Sequence, residues 1–233
     1  MELYVHIPFC VRKCLYCDFL SFAADDGMKK RYIDALVKEL GSYSGLLKTV
    51  SGFDTVFIGG GTPSILDIRQ TEALLGAIAP MIKNVAEFTV ECNPGTLDRE
   101  KLELYRSFGV NRLSIGLQSA DDDELKLLGR IHTFREFLVS FDLAREAGFN
   151  NINIDLMSGL PGQSVSRFKK TLETVGSLNP EHISAYSLII EPETAFFDLY
   201  GEKGRLKDDL PEEETDREIY RMTKDVLEGF GFH

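Results

Sequence analysis

The sequence predicts an α/β protein built on parallel strands. Six short, β-rich apolar runs alternate with stretches of helical periodicity, and the glycine-rich and polar motifs fall just past the strand ends. Ligands of parallel α/β folds gather at the carboxyl ends of the strands. The position of the motifs therefore supports the reading of the elements.

Residues 3–7 form the first predicted strand. Met28, Tyr32, Leu36, Leu40, Tyr43 and Leu47 then recur at helical spacing. Residues 55–58 are the second strand, and Leu74, Ile78 and Met81 mark the helix after it. Residues 87–92 and 112–117 are the third and fourth strands. Thr133, Phe134, Arg135 and Glu136 form a capping box; Phe137, Phe141 and Ala144 continue that helix, and Gly148 closes it. Residues 151–157 are the fifth strand. Ser164 starts the next helix, and Pro180 follows its end. Residues 182–190 are the sixth strand, and Pro211 to Phe230 reads as the last helix.

Strand–helix alternation implies parallel pairing with right-handed crossovers. An open doubly wound sheet and a curved, barrel-like sheet both fit, and periodicity does not separate them. The 233 residues are 43% hydrophobic and 27% charged, ordinary for a soluble globular protein. No apolar run approaches the roughly 20 residues needed to span a bilayer. A net charge of −11 argues against a nucleic-acid partner. Asp208, Asp209, Glu212, Glu213, Glu214 and Asp216 read as a solvated helix start, where carboxylates suit the dipole. With 4 cysteines and no signal peptide, the expectation is a reducing, cytoplasmic compartment. Gly229 to His233 reads as a helix end leading toward a further strand.

Cys10, Cys14 and Cys17 carry most of the chemistry. They lie within eight residues, spaced C-x₃-C-x₂-C, directly after the first strand. Three thiolates on one loop can hold three irons of a cubane [4Fe–4S] cluster and leave the fourth iron open to a ligand. A zinc site completed by His6 is a rival, although zinc usually takes paired C-x₂-C units and no second unit exists. Cys92 stands far from the loop and reads as a small core residue.

Each later strand ends in a distinctive motif. Gly59-Gly60-Gly61-Thr62-Pro63 lets backbone approach a ligand closely, yet lacks the lysine and spacing of a nucleotide-binding loop. Glu91, in Glu91-Cys92-Asn93-Pro94-Gly95, ends an apolar run and can accept from an amine or a ribose; a helix-capping acid is the alternative. Gln118 is an amide at a strand end. Arg130 offers a fork to a carboxylate, with a surface salt bridge as its rival. Asp155 interrupts the fifth strand as a paired carboxylate or a ligand group. Tyr4, His6, Tyr16, Tyr186, Ser187 and Ile189 are candidates by position, with aromatic packing the competing reading for the rings.

The cysteine spacing resembles that of the radical S-adenosylmethionine (SAM) superfamily, in which the open iron binds the methionine end of SAM. The ordered set HIPFC-x₃-C-x-YC-DF, GGGTP, EC-NPGT, GLQS, LGR-H and D-L-x-x-GLPGQ resembles, more narrowly, the coproporphyrinogen III dehydrogenase (oxygen-independent oxidase) family and its heme-chaperone branch. The resemblance covers nearly the whole chain. It implies a (βα)₆ partial TIM barrel over residues 1–210, with residues 211–233 as the last core helix leading to a C-terminal domain. It implies that Cys10, Cys14 and Cys17 ligate a [4Fe–4S] cluster. Tyr4, Tyr16, Gly61, Thr62, Glu91, Gln118, Arg130 and Asp155 match positions that contact SAM, and Ile189 matches more loosely.

Two departures choose between branches. The dehydrogenase carries a further cysteine two residues after the third cluster cysteine, where this chain has Phe19, and a longer segment before its first strand. Both imply the heme-chaperone branch, which is thought to carry heme to acceptor proteins, membrane-bound respiratory proteins among them. The alternative is oxidative decarboxylation of coproporphyrinogen III propionates to protoporphyrinogen IX. Heme is a further expected ligand and a homodimer an expected assembly, while none of the 4 histidines stands in a recognisable heme motif.

Overall fold

The computed structural model describes residues 1–43 and 52–233. Six strands form one sheet: β1 (Glu2–Ile7), β2 (Phe53–Gly60), β3 (Ile82–Cys92), β4 (Arg112–Gln118), β5 (Ile152–Ser158) and β6 (His182–Ser187). They are ordered β1 to β6 across the sheet as along the chain, with β1 and β6 at its two ends. β1 and β2 pair in parallel from Glu2↔Thr55 to Ile7↔Gly60, and β5 and β6 from Asn153↔His182 to Ser158↔Ser187. The parallel six-stranded sheet expected from the sequence is the one found.

Eight α-helices are described: α1 (Asp26–Ser42), α2 (Ile68–Ile78), α3 (Arg99–Ser107), α4 (Asp122–Leu127), α5 (Phe134–Glu146), α6 (Val165–Gly176), α7 (Ala195–Tyr200) and α8 (Glu213–Gly229). Their starts are chemically marked. Asp25, Asp98 and Ser164 each accept a backbone N–H from the first turn of α1, α3 and α6. Asp67 and Gln70 form a capping box at α2. The predicted box at α5 is present: Thr133 N donates to Glu136 Oε2 at 2.7 Å, and Glu136 N to Thr133 Oγ1 at 3.3 Å. Beyond α5 the chain turns at Gly148, whose φ of +85° a side chain would resist. Glu213, Glu214 and Asp216 occupy the first turn of α8, as the acidic run predicts.

Three expectations change. The sixth strand stops at Ser187, and residues 188–190 lie beyond it. The third strand begins at Ile82; its first half, Ile82-Lys83-Asn84-Val85-Ala86, is too polar for an apolar run to reveal, and the β2–β3 register shifts between Phe53 and Thr55. Met81 sits in a 3₁₀ turn after α2 rather than in the helix. Leu47, predicted on the first helical face, lies outside the described residues.

The chain divides into two compact units. One holds residues 1–12, 20–114 and 139–151, the other residues 13–19, 115–138 and 152–233. In the first, Val5, Ile7, Val56, Ile58, Phe88 and Val90 are buried, and α1 packs on α2 and α2 on α3. In the second, Ile152, Ile154, Leu156, Phe168, Leu172 and Val175 are buried, and α6 packs on α8. Each large apolar side chain so buried contributes about 1.5–3 kcal/mol. β4 and β5 are buried along nearly their whole length, as interior parallel strands should be, with Leu113, Ile115 and Leu117 sharing one face of β4 and Ile152, Ile154 and Leu156 one face of β5. β1 and β6 are more open: Tyr4 in β1 and Tyr186 and Ser187 in β6 are exposed.

Candidate functional site

In the first unit, the chain leaves β1 through Pro8 into Phe9–Cys10, which pairs in parallel with Phe22–Ala23. The glycine loop after β2 closes onto this segment. Gly61 N donates to Ile7 O at 2.8 Å, and Thr62 N to Phe9 O at 2.7 Å. A Cβ on Gly61 would stand 2.7 Å from Phe9 O, so only glycine permits this approach. Gly60 has φ +115°, and a Cβ there would stand 2.5 Å from His6 Cε1. The loop thus serves first to clasp the strand carrying Cys10.

Side chains complete the clasp. Thr62 is buried; its Oγ1 donates to Cys10 Sγ at 3.6 Å and accepts from Asn93 Nδ2 at 2.8 Å. Glu91, at the end of β3, accepts from Gly60 N at 2.9 Å. Tyr4 Oη and His6 Nδ1 are 3.0 Å apart, and the Tyr4 ring stacks on Phe57. Burial, with Glu91 nearby, pushes the Tyr4 hydroxyl's pKa up. Cys92 is buried with its thiol pushed up to about 12 by burial, the inert core residue the sequence suggests.

The second unit holds residues 13–19 as a turn. Cys17 N donates to Cys14 O at 3.3 Å, Leu15 N to Leu128 O at 3.1 Å, and Phe196 N to Leu15 O at 3.0 Å. Tyr16 packs edge-on against Phe196, beside Leu128, Met157 and Leu160, and burial pushes its hydroxyl pKa well up. Arg130 Nη1 donates to Cys14 Sγ at 3.6 Å, and Nη2 donates to Gly116 O. Gln118 is buried with φ +77°, rare for a residue bearing a side chain, and its Oε1 accepts from Tyr186 Oη at 2.8 Å. Asp155 Oδ1 accepts from Asn153 Nδ2 at 2.8 Å. Ile189 follows β6 and is exposed, as is Phe19.

Within the first unit, then, Tyr4, Cys10, Gly61, Thr62 and Glu91 are tied into one hydrogen-bonded and packed assembly with His6. Within the second, Cys14 and Arg130 meet, and Gln118 meets Tyr186. Sequence reasoning overlooked Asn93 as a site residue, although it stands two positions past Glu91. It also overlooked buried Lys101, whose Nζ donates to Ser64 O at 2.7 Å and Thr96 O at 3.0 Å and whose pKa burial lowers.

The donor set suits an iron–sulfur cluster. All four cysteines are thiols rather than half-cystines, and two of the three loop sulfurs, Cys10 and Cys14, each face a donor that stabilises a thiolate. Among the described residues, no three His, Cys, Asp or Glu side chains converge on a single-ion position. A cubane does not require that, since each thiolate binds its own iron. Among the described residues, no helix is long and apolar enough to cross a membrane.

A family model described as the radical SAM superfamily matches residues 4–175. The chain is 42% identical to the heme chaperone HemW of Bacillus subtilis over 99% of its length and 60% of that protein's, and 37% identical to the heme chaperone HemW of Escherichia coli over 100% and 60%. It is similar to the solved coproporphyrinogen III oxidase of Escherichia coli, described as a radical SAM enzyme, with a TM-score of 0.87, 29% identity and coverage of 100% of this chain and 53% of that one. The chain therefore spans about 60% of the length of the curated relatives it matches.

Proposed function

The chain belongs to the radical SAM superfamily, and from that premise we propose that it is a heme chaperone whose cluster-binding part is described above. Membership implies a [4Fe–4S] cluster and SAM. Cys10, Cys14 and Cys17 would hold three irons, leaving the fourth open for SAM. Residues 1–210 would form the core and α8 its closing helix. When bound, the cluster supplies single electrons at an iron that SAM can ligate.

This chain's residues bind and orient. Thr62 and Arg130 donate to the sulfurs of Cys10 and Cys14 and stabilise them as thiolates. Glu91, fixed by Gly60 N, offers its carboxylate to the amine of SAM. Gln118, held by Tyr186, presents its amide, and Asp155 a carboxylate within a buried strand. Tyr4 and Tyr16 supply ring faces, Gly61 backbone, and Ile189 an exposed apolar contact.

The observation that carries the reading is the donor aimed at each of two loop sulfurs, combined with likeness to two heme chaperones across nearly the whole chain. The chaperone would work in the cytoplasm, as a monomer or homodimer, and hand heme to acceptors such as membrane-bound respiratory proteins. The test is anaerobic reconstitution with iron and sulfide, electron paramagnetic resonance of the reduced cluster with and without SAM, and transfer of bound heme to an apo-acceptor. A spectrum that changes with SAM, together with heme transfer, supports the reading. The second reading, coproporphyrinogen oxidation, rests on the likeness to the solved oxidase, while the exposed Phe19 stands where that family carries its further cysteine. Robust protoporphyrinogen formation under reducing conditions would replace the first reading with the second.

A further inference from the structure

We propose that Asn93 is a positioning residue that acts through Thr62 on the sulfur of Cys10, raising the reduction potential of the cluster this thiolate would hold. The inference rests on the cluster reading above. Three groups form a line within the first unit: Asn93 Nδ2 donates to Thr62 Oγ1 at 2.8 Å, and Thr62 Oγ1 donates to Cys10 Sγ at 3.6 Å. A hydroxyl has one proton to give. With Asn93 donating into the oxygen, the Thr62 proton is left for the sulfur. A metal-bound thiolate carries no proton and can only accept, so this is the one orientation of the Asn93 amide that satisfies all three groups.

The backbone fixes both ends of the line. Thr62 is 2% exposed, and its N–H is held on Phe9 O at 2.7 Å, one residue before Cys10. Asn93 N donates to Ser64 Oγ at 3.2 Å, while Asn93 O accepts from Thr96 Oγ1 at 2.6 Å and from Thr96 N at 3.2 Å. Ser64 and Thr96 hydrogen-bond each other, and Lys101 Nζ ties the backbone carbonyls of the same two residues. So much bonding around one asparagine exceeds what a turn alone requires. Its amide is aimed, and what it aims at is the hydroxyl on the cysteine sulfur. Donation to a cluster sulfur draws charge from it and favours the reduced state, so the potential rises.

The experiment is a redox titration of the reconstituted cluster, followed by electron paramagnetic resonance, in the unsubstituted protein and in Thr62→Val, Thr62→Ser, Asn93→Ala and the Thr62→Val/Asn93→Ala pair. Iron and sulfide content and circular dichroism are recorded for each. Thr62→Val and Asn93→Ala are expected to shift the midpoint to lower potential, Thr62→Ser to hold it, and the pair to shift no further than Thr62→Val alone, because both act through one hydroxyl. A strongly coupled exchangeable proton, seen by electron–nuclear double resonance, should be present in Thr62→Ser and lost in Thr62→Val. A loaded cluster whose midpoint ignores Asn93→Ala, or shifts that add in the pair, would overturn the relay while leaving the cluster reading intact. If the unsubstituted protein binds no iron and sulfide, the cluster reading falls and takes the relay with it. If Asn93→Ala does not fold, loss of the exchangeable proton in Thr62→Val alone decides whether the hydroxyl reaches the sulfur.

Discussion

Arg130 directs its guanidinium at Cys14 across 116 residues of sequence, with Nη1 3.6 Å from the sulfur and Nη2 on Gly116 O. Both contacts use the planar fork, which a lysine ammonium does not reproduce. Arg130→Lys should therefore lose one contact and cost about 1–3 kcal/mol in urea unfolding of the cluster-free protein. A loss below about 0.5 kcal/mol would mean that the fork contributes nothing to holding the 13–19 turn.

Gly60 sits against His6 with φ +115°, its absent Cβ only 2.5 Å from His6 Cε1. Gly60→Ala combines a disfavoured backbone conformation with a steric clash, and the two together should cost about 2–4 kcal/mol. In a His6→Ala background the clash disappears, and the cost of the same change should fall to about 1 kcal/mol. Urea midpoints of the four proteins measure this coupling; equal costs in both backgrounds would assign the whole effect to the backbone.

Glu91 accepts from Gly60 N, and the proposed function gives its charge to the amine of SAM. Glutamine keeps an oxygen for Gly60 N but no charge. Glu91→Gln should change stability by less than about 1 kcal/mol and weaken SAM binding to the reconstituted protein by about tenfold or more, as an ionic hydrogen bond of about 1.5–3 kcal/mol predicts. Calorimetric titration with SAM separates the two effects, and unchanged affinity would remove Glu91 from the SAM site.

The sheet was legible because each strand carries a short set of large apolar residues, Leu113, Ile115 and Leu117 in β4 and Ile152, Ile154 and Leu156 in β5, with a polar or glycine-rich motif at its end. The start of β3 was not, since Lys83, Asn84 and Glu87 carry no period. The six-residue helices α4 and α7 are too short to show one, and are marked chiefly by their caps, Asp121 and Thr194. Among site residues, motif position found Thr62 and Arg130 but not what they touch. That Thr62 turns inward to a sulfur, or that Gln118 takes a left-handed backbone to meet Tyr186, depends on approaches between segments far apart in sequence. Asn93 escaped because an asparagine before proline reads locally as a turn residue.

His132 gives the fold a pH dependence. It is 5% exposed, with Nε2 3.3 Å from Leu117 O, and burial followed by the charge of Arg130 lowers its pKa to about 4. An unfolded histidine titrates near 6.5. Between about pH 6.5 and 4 the unfolded chain therefore binds a proton that the folded protein refuses, and stability falls as pH falls through that window. The slope should reach about 1.4 kcal/mol per pH unit, for a total of about 3 kcal/mol. Above pH 7 both states are neutral at this residue and the contribution vanishes. His132→Gln keeps a neutral donor for Leu117 O and removes the titration. Urea unfolding at pH 7.5, 6.0 and 5.0 should give the variant the shallower loss between 6.0 and 5.0, and the same slope as the unsubstituted protein above 7. Parallel curves throughout would mean that His132 takes up its proton without leaving the fold.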